Sequence, residues 1–131
     1  MEIRKYDKES DENKLMEMIR GEGDDWSCYW AEGVNEKYRF ALENSMTYVA
    51  CDKDQIVGYS RSLPDNGFYI YVCDLLVKES YRGKAIGKML MESIYNEYPD
   101  VTVYVMSDVD DYYNSLGYNR EGSVFEVTRQ D

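Results

Sequence analysis

The sequence contains no histidine among its 131 residues. This absence excludes Ser-His-Asp triads, Cys-His dyads, zinc sites built on histidine and phosphohistidine chemistry, because each of them needs an imidazole. Any proton transfer that the chain performs must therefore use tyrosine, aspartate, glutamate, lysine, cysteine or water. We accordingly expect no metal among its cofactors.

Cysteine is scarce as well. Cys28, Cys51 and Cys73 are odd in number and form no C-x-x-C pair, and two of them lie in apolar strand-like runs. Reduced thiols are therefore expected rather than disulfides or a metal site. The first residues, MEIRKYDKESDE, lack the apolar run of a secretory signal, and no apolar stretch approaches the roughly 18 residues that a membrane-spanning helix needs. The expected location is the cytoplasm.

Basic residues are the minority charge. The chain has 15 lysines and arginines against 26 acidic residues, which gives a formal charge of −11. A chain this acidic repels nucleic acid and anionic membranes, so neither is expected as a partner, whereas a cationic acceptor would be attracted. Solubility alone is the simpler explanation of the same charge.

The residues that are present predict one α/β domain over positions 1–131. With 44% hydrophobic residues, a chain of this length buries one sizeable core. Hydrophobic periodicity predicts the order β-α-α-β-β-β-α-β-α-β on a mixed sheet. The run Phe68 to Val77 is apolar on both faces except at Asp74, as in a central strand, and Ser123 to Arg129 is expected as a closing strand.

The segment DLLVKESYRGKAIGKMLM carries the clearest chemical signal. A buried strand enters a glycine-containing turn and then a helix, whose first amides are free to bind an anion such as a phosphate. Arg82, Lys84 and Lys88 add positive charge, while Gly83 and Gly87 allow close approach to the backbone. The P-loop pattern fails because its glycines would be one residue further apart, and the dinucleotide fingerprint G-x-G-x-x-G is absent.

This turn resembles the acyl-CoA pyrophosphate loop of the GNAT superfamily of N-acetyltransferases, whose signature is Q/R-x-x-G-x-G/A. Here the motif is Arg82-Gly83-Lys84-Ala85-Ile86-Gly87, and YYNSLGY resembles the family's later F-Y-x-x-x-G-F/Y segment. The resemblance implies a GNAT-like fold, a mixed and mostly antiparallel sheet flanked by helices, with acetyl-CoA as co-substrate. Ala85 departs from the signature glycine, and we expect this to cost little if its backbone is right-handed helical.

The resemblance also implies site residues for acetyl transfer to a primary amine by direct attack. Tyr113 is the expected general acid for the departing thiolate, since a phenol with an ordinary pKa near 10 still carries its proton at neutral pH. Asp74 is either the base that receives the amine proton or a carboxylate hydrogen-bonded for structure. The residues expected to hold the cofactor are Leu75, Leu76, Val77, Arg82, Gly83, Lys84, Ala85, Ile86, Gly87 and Lys88.

The sequence says less about the amine acceptor than about the cofactor. The loop that contains Trp26 and Tyr29 combines carboxylates with aromatic faces, which suits an ammonium group, although packing alone explains it equally well. Arg61 and Asp65 resemble an R-x-x-x-D pattern of small GNAT proteins and either shape the acceptor site or brace a turn. The acceptor is a small cationic amine or a peptide amine, and the chain is a monomer or a homodimer.

The same sequence features are compatible with two other functions. The domain could bind acyl-CoA without transfer, as a sensor, or it could be an interaction module that has lost CoA. Turnover with amines separates the first alternative from an enzyme, and calorimetry with CoA tests the second.

Overall fold

The computed structural model describes residues 1–130. Its five strands form one sheet in the order β1-β2-β3-β4-β5. The first four strands pair antiparallel, and β5 joins β4 in parallel. This is the mixed, mostly antiparallel sheet expected from the sequence. The strands are Glu2–Lys5 (β1), Met46–Asp52 (β2), Gln55–Asp65 (β3), Tyr69–Val77 (β4) and Thr102–Val105 (β5).

Helices cover both faces of this sheet. They are Lys8–Arg20 (α1), Ser27–Trp30 (α2), Asn35–Glu43 (α3), Ile86–Glu97 (α4) and Asp110–Ser115 (α5). On one face, α1 and α3 pack with the inward side chains of β2 and β3 around Leu15, Leu42 and Tyr59. On the other face, α4 packs through Leu90 and Ile94. Both layers follow from helices that are apolar on one stripe only.

The first strand and helix are tied by one buried carboxylate. Asp11 accepts hydrogen bonds from both terminal nitrogens of Arg4, at 2.7 and 2.8 Å, and from the backbone N–H of Asp7 at 2.8 Å. Burial by itself would raise the pKa of Asp11, but the bonds from Arg4 outweigh it and hold that pKa below its usual value. The bidentate geometry fixes α1 against the sheet.

Several boundaries differ from the sequence-based expectation. Hydrophobic spacing from Ser10 onward would start helix α1 near Ser10, but it begins at Lys8, because the side chain of Asp7 caps it by accepting the N–H of Ser10. The segment after α1, expected to be a loop, contains a 3-10 turn at Asp24–Trp26 followed by α2. Its aromatic side chains pack on the core, and the indole of Trp30 donates to the carbonyl of Gly23 at 2.9 Å.

The prediction of a closing strand at Ser123 to Arg129 was wrong. Residues 119–130 form neither helix nor strand and are exposed. A strand pattern in a sequence identifies residues that are able to form a strand, but the strand forms only where the edge of another strand is in position to pair with it. Separately, no helix within residues 1–130 is long and apolar enough to cross a membrane.

Candidate functional site

One cavity of about 1280 Å³ opens where β4 and β5 part. Their parallel pairing extends only from Tyr69 to Val72 on β4. Beyond Val72, β4 continues to Val77, and within residues 1–130 no strand pairs with its outer side. Leu75, Leu76 and Val77 line the cavity there. This stretch therefore offers backbone groups and apolar side chains to a ligand.

A β-bulge at Cys73 decides which way the next carboxylate points. In the register of β3 with β4, Ser62 lies opposite Val72 and Arg61 lies opposite Asp74, so Cys73 has no partner residue. Residues before the bulge, such as Val72, face α4, whereas Asp74 faces the side of α3. A bulge re-aims the side chains that follow it, and regular alternation in the sequence does not reveal it.

Asp74 is buried and fully hydrogen-bonded by side chains from three elements. Its Oδ1 accepts the hydroxyl of Tyr29 at 3.1 Å. Its Oδ2 accepts the hydroxyl of Tyr38 and the Nε of Arg61, each at 2.6 Å. The hydroxyl of Tyr38 also lies 2.7 Å from that of Tyr59. Neither Tyr38, on α3, nor Tyr59, on β3, carries a signal in the sequence that links it with Asp74.

The charges in this cluster are compensated. Burial works against the Arg61 guanidinium, but its hydrogen bond to Asp74 prevails and raises the pKa of Arg61. Burial, followed by the Asp74 charge, raises the pKa of Tyr29, and burial with the neighbouring Tyr59 and Asp74 raises that of Tyr38. Both phenols thus keep their protons and donate to Asp74. Of these partners, Tyr29 lines the cavity.

The expected phosphate-binding turn forms the opposite wall. A 3-10 turn at Glu79–Tyr81 leads into Arg82, and α4 begins at Ile86 with no side-chain hydrogen bond capping its start. The uncapped N–H groups carry the positive end of the helix dipole, which favours an anion. Gly83, at φ 81°, turns the chain into the helix. The cavity wall includes Gly83, Ala85, Ile86 and Gly87.

The basic side chains of the turn differ in their roles. Arg82 and Lys88 line the cavity, and Lys84 does not. Arg82 donates to the carbonyl of Val77 at 2.9 Å and to Glu22 at 2.6 Å, so its position is fixed. Lys88 lies 3.7 Å from Glu92 on the same helix, a contact that solvent weakens. The Nζ of Lys84 lies over the ring of Tyr81, 5.2 Å from its centre.

Ala85 adopts the left-handed conformation, at φ 63° and ψ 20°. The condition under which alanine would cost little here, a right-handed backbone, is therefore not met. An alanine in this region places its β-carbon against the following carbonyl, at a cost of about 1 to 2 kcal/mol. This explains in physical terms why a signature with glycine at this point suits the turn.

Two adjacent tyrosines of α5 line the cavity between these walls. Tyr113 is only 9% exposed and stacks on Tyr118, with ring centres 6.3 Å apart. Burial raises the pKa of Tyr113 to about 12. Tyr112 is 38% exposed, and its hydroxyl lies over Gly87. Both tyrosines belong to the YYNSLGY motif, but the resemblance implied a catalytic role for Tyr113 alone.

The residues expected to hold the acceptor are only partly brought together. Trp26 and Tyr29 line the cavity with ring centres 5.3 Å apart, and Asp25 joins them. Arg61 contacts this site through Asp74. Asp65 lies exposed at the far end of β3, outside the cavity.

Comparison with known proteins agrees with this geometry. The model of the acetyltransferase (GNAT) family matches residues 13–118. The chain is 26% identical over 105 residues to the uncharacterized N-acetyltransferase ycf52 of Pyropia yezoensis, a match that covers 72% of this chain and 60% of that protein. The chain therefore spans less than two thirds of the length of this relative.

Two solved structures show the same fold. A GNAT family acetyltransferase from Streptococcus pneumoniae superposes with a TM-score of 0.75 at 23% identity, over 98% of each chain. An aminoglycoside 6'-acetyltransferase type Ii gives a TM-score of 0.77 at 21% identity, over 93% of this chain and 85% of that one. The fold class expected from the sequence is confirmed.

Proposed function

Because the chain belongs to the GNAT family of acetyltransferases, we propose that it transfers the acetyl group of acetyl-CoA to a primary amine by direct attack. One observation carries the proposal. A single cavity joins the uncapped start of α4, the unpaired side of β4 and the aromatic and acidic residues around Tyr29. A phosphate-bearing thioester and a cationic amine thus have complementary surfaces in one space.

Acetyl-CoA is proposed to bind along the two inner walls. Its pyrophosphate lies at the first amides of α4, where the helix dipole and Lys88 favour negative charge. Arg82 adds a positive charge, and its hydrogen bonds to Glu22 and to the carbonyl of Val77 hold its guanidinium group in place. The pantetheine arm then runs beside Leu75 to Val77, where the outer side of β4 is free of strand pairing.

Tyr113 is proposed as the general acid. The amine nitrogen attacks the thioester carbonyl carbon, the carbon–sulfur bond breaks, and the departing thiolate takes the phenolic proton of Tyr113. A pKa of about 12 keeps that proton in place before reaction. After the CoA thiol leaves, the Tyr113 phenolate takes up a proton from solvent.

Tyr29 and Asp74 are proposed to handle the proton of the amine. Asp74 is surrounded by three donors, which leaves Tyr29 as its partner on the cavity side. The Tyr29 oxygen accepts a proton from the attacking amine while its own proton passes to Asp74, 3.1 Å away. After the products leave, Asp74 returns this proton through Tyr29 to solvent, which resets the pair. In this scheme Asp74 serves through Tyr29, and its hydrogen bonds with Tyr38 and Arg61 also hold the site together.

A cationic amine is the proposed class of acceptor. Asp25 supplies charge at the cavity wall, and the rings of Trp26 and Tyr29 offer faces for a cation. The chain's net charge of −11 adds long-range attraction. A similar structure is named as an aminoglycoside acetyltransferase, so aminoglycosides belong in the test beside polyamines and peptide amines.

The test is release of free thiol from acetyl-CoA with each amine in turn. We expect thiol release with at least one cationic amine, and product mass increased by one acetyl group. Calorimetry with CoA measures binding separately. Binding of CoA without thiol release from any amine would favour an acyl-CoA sensor, and the absence of both would reject the proposal.

A further inference from the structure

Three tyrosines from β4 and β5 lie side by side on one face of the sheet. Tyr71 lies opposite Tyr104 in the parallel pairing of these strands, and paired residues point to the same face. The ring centres of this pair are 5.9 Å apart, and the ring centre of Tyr69 lies 6.0 Å from the first and 5.4 Å from the second. Tyr69, Tyr71 and Tyr104 are together called the tyrosine face.

The tyrosine face is open to solvent. Tyr71 is 43% exposed, and Leu63, which lies opposite it on β3, is 45% exposed. The intervening residues Ile70 and Val103 point to the other side of the sheet, where they pack with α4. The ring of Tyr69 is tilted by 53° against that of Tyr71, so the rings do not form one flat stack and ring faces stay accessible. An exposed group of adjoining apolar side chains is typical of a surface that binds a ligand or partner.

This surface continues directly from the buried cluster around Asp74. Arg61, Leu63 and Asp65 are alternate residues of β3, so their side chains share one face of the sheet. Arg61 is bonded to Asp74, and Tyr29 joins the same carboxylate to the cavity. A molecule that leaves the cavity beside Tyr29 therefore meets Leu63 first and Asp65 at the far end.

The charge at that far end is negative and unpaired. The charged residues of β3, β4 and β5 are Arg61, Asp65 and Asp74. Arg61 and Asp74 neutralise each other. Asp65 lies opposite Tyr69, is exposed, and forms no salt bridge within residues 1–130. A carboxylate next to tyrosine rings attracts an ammonium group through charge and cation–π interaction.

We propose that the tyrosine face and Asp65 form a second ammonium site, which binds the far end of a linear diamine or polyamine while its near end reacts in the cavity. This inference rests on the proposed acetyl transfer. The four residues from Arg61 to Asp65 separate the two ends by about 13 Å, at roughly 3.3 Å per residue. The methylene chain between the nitrogens then lies over Leu63 and Tyr71.

A linear polyamine fits this surface better than a peptide does. Peptides that extend a sheet pair with the backbone of a strand edge, which supplies partners for their own N–H and C=O groups. The tyrosine face is a sheet face, where side chains rather than backbone groups are presented. A polyamine has no peptide groups to satisfy, and its ammonium and methylene groups match the carboxylate and the rings.

The first experiment measures the KM of linear diamines by thiol release from acetyl-CoA. Diaminodecane is long enough to reach both sites, and diaminopropane is too short. We expect Asp65→Asn and Tyr71→Leu each to raise the KM for diaminodecane about fivefold, and to leave kcat and the KM for diaminopropane unchanged. Circular dichroism checks that both variants fold.

The matched controls change the same residue types elsewhere. Asp54→Asn alters an exposed carboxylate in the turn between β2 and β3, and Tyr95→Leu alters an exposed tyrosine on α4. Neither should change the KM for diaminodecane. An equal rise in KM for Asp54→Asn and Asp65→Asn would mean that net charge alone attracts the diamine, and would overturn the inference.

The second experiment uses decamethonium, which carries two quaternary ammonium groups on the same length of chain and cannot be acetylated. We expect calorimetry to show binding that Asp65→Asn and Tyr71→Leu weaken about fivefold. This result without thiol release from any amine would support the second site and count against acetyl transfer alone. Failure of the natural chain to bind decamethonium, or an unchanged KM for diaminodecane in both variants, would overturn the inference while acetyl transfer stands. Variants that impair acetylation of a lysine-rich peptide but not of diaminodecane would overturn it as well.

Discussion

The hydroxyl of Tyr112 lies over the backbone of Gly87, in the space that a β-carbon at position 87 would occupy. Leu75 reaches the same point from β4, 3.8 Å from that position. The glycine at the start of α4 thus accommodates a tyrosine from α5 at the place where the three walls of the cavity meet. The motif suggests that glycine lets a phosphate approach the backbone. Space for the Tyr112 hydroxyl is a second reason for glycine at this position.

Gly87→Ala should displace the Tyr112 ring into the cavity and raise the KM for acetyl-CoA by about tenfold, which corresponds to 1.4 kcal/mol. In a Tyr112→Ala background the same substitution should cost much less, because the overlapping hydroxyl is gone. The KM values of the four proteins form a double-mutant cycle. If the effects of the two substitutions on KM simply add, overlap with Tyr112 is not the reason for glycine at position 87.

Ala85→Gly should stabilise the chain by about 1 kcal/mol, since glycine adopts a left-handed backbone without the alanine's steric cost. Denaturant unfolding measures the change. Ala41→Gly is the matched control, because Ala41 lies within the right-handed helix α3 and the substitution there should destabilise by about 0.5 to 1 kcal/mol. Equal effects at both positions would contradict the strain assigned to Ala85.

Tyr113→Phe should lower kcat by about 10²-fold or more, the usual contribution of a general acid, while the affinity for CoA stays nearly constant. Loss of the proton through a pKa of about 12 would reduce activity only as the pH rises toward that value, so the natural protein should show no such loss near neutrality. Tyr95→Phe, at an exposed position on α4, should leave kcat unchanged. An unaltered kcat in Tyr113→Phe would remove this residue from the mechanism.

Apart from α2 and the closing strand, the order of strands and helices was predictable because hydrophobic periodicity reports which face of each element is buried. The glycine-containing turn between β4 and α4 was predictable because glycine and basic residues cluster between a buried strand and a helix. The surroundings of Asp74 were not, since Arg61, Tyr38 and Tyr29 meet it from distant points in the chain through a bulge at Cys73. The left-handed backbone of Ala85 was also hidden, because alanine ordinarily signals helix.

The Tyr29 and Asp74 relay predicts different effects from neighbouring substitutions. Tyr29→Phe should lower kcat and change the pH dependence of turnover, because the cavity then has no hydroxyl leading to Asp74. Tyr38→Phe removes another donor to the same carboxylate, from a position within the core, and should lower stability while leaving the shape of the pH profile intact. Identical pH profiles for Tyr29→Phe and the natural protein would exclude the relay.

Asp74→Asn should destabilise the fold by about 3 to 5 kcal/mol, because it leaves the mostly buried Arg61 without its counterion. This structural cost complicates a direct test of Asp74 in catalysis, so Tyr29 is the better position for that purpose. Thermal unfolding of Asp74→Asn with Arg61→Met should show recovery of part of the loss. A double variant as unstable as the sum of both single variants would argue against the pairing.

The pair formed by Arg4 and Asp11 should govern stability in acid. The folded-state pKa of Asp11 lies below its usual value, so its contribution is fully present above the unfolded pKa of about 3.9 and is lost as the pH falls through the folded pKa. Asp11→Asn should therefore cost about 1 to 3 kcal/mol near neutrality, the range for hydrogen bonds to a charged group. The difference between the two proteins should shrink steadily below about pH 4. Leu15→Ala, at a fully buried position on the same helix, removes no titrating group and should give a difference that stays constant over the same range. Urea unfolding at several pH values measures both, and a constant difference for Asp11→Asn would show that the Arg4 bonds do not stabilise the charged carboxylate.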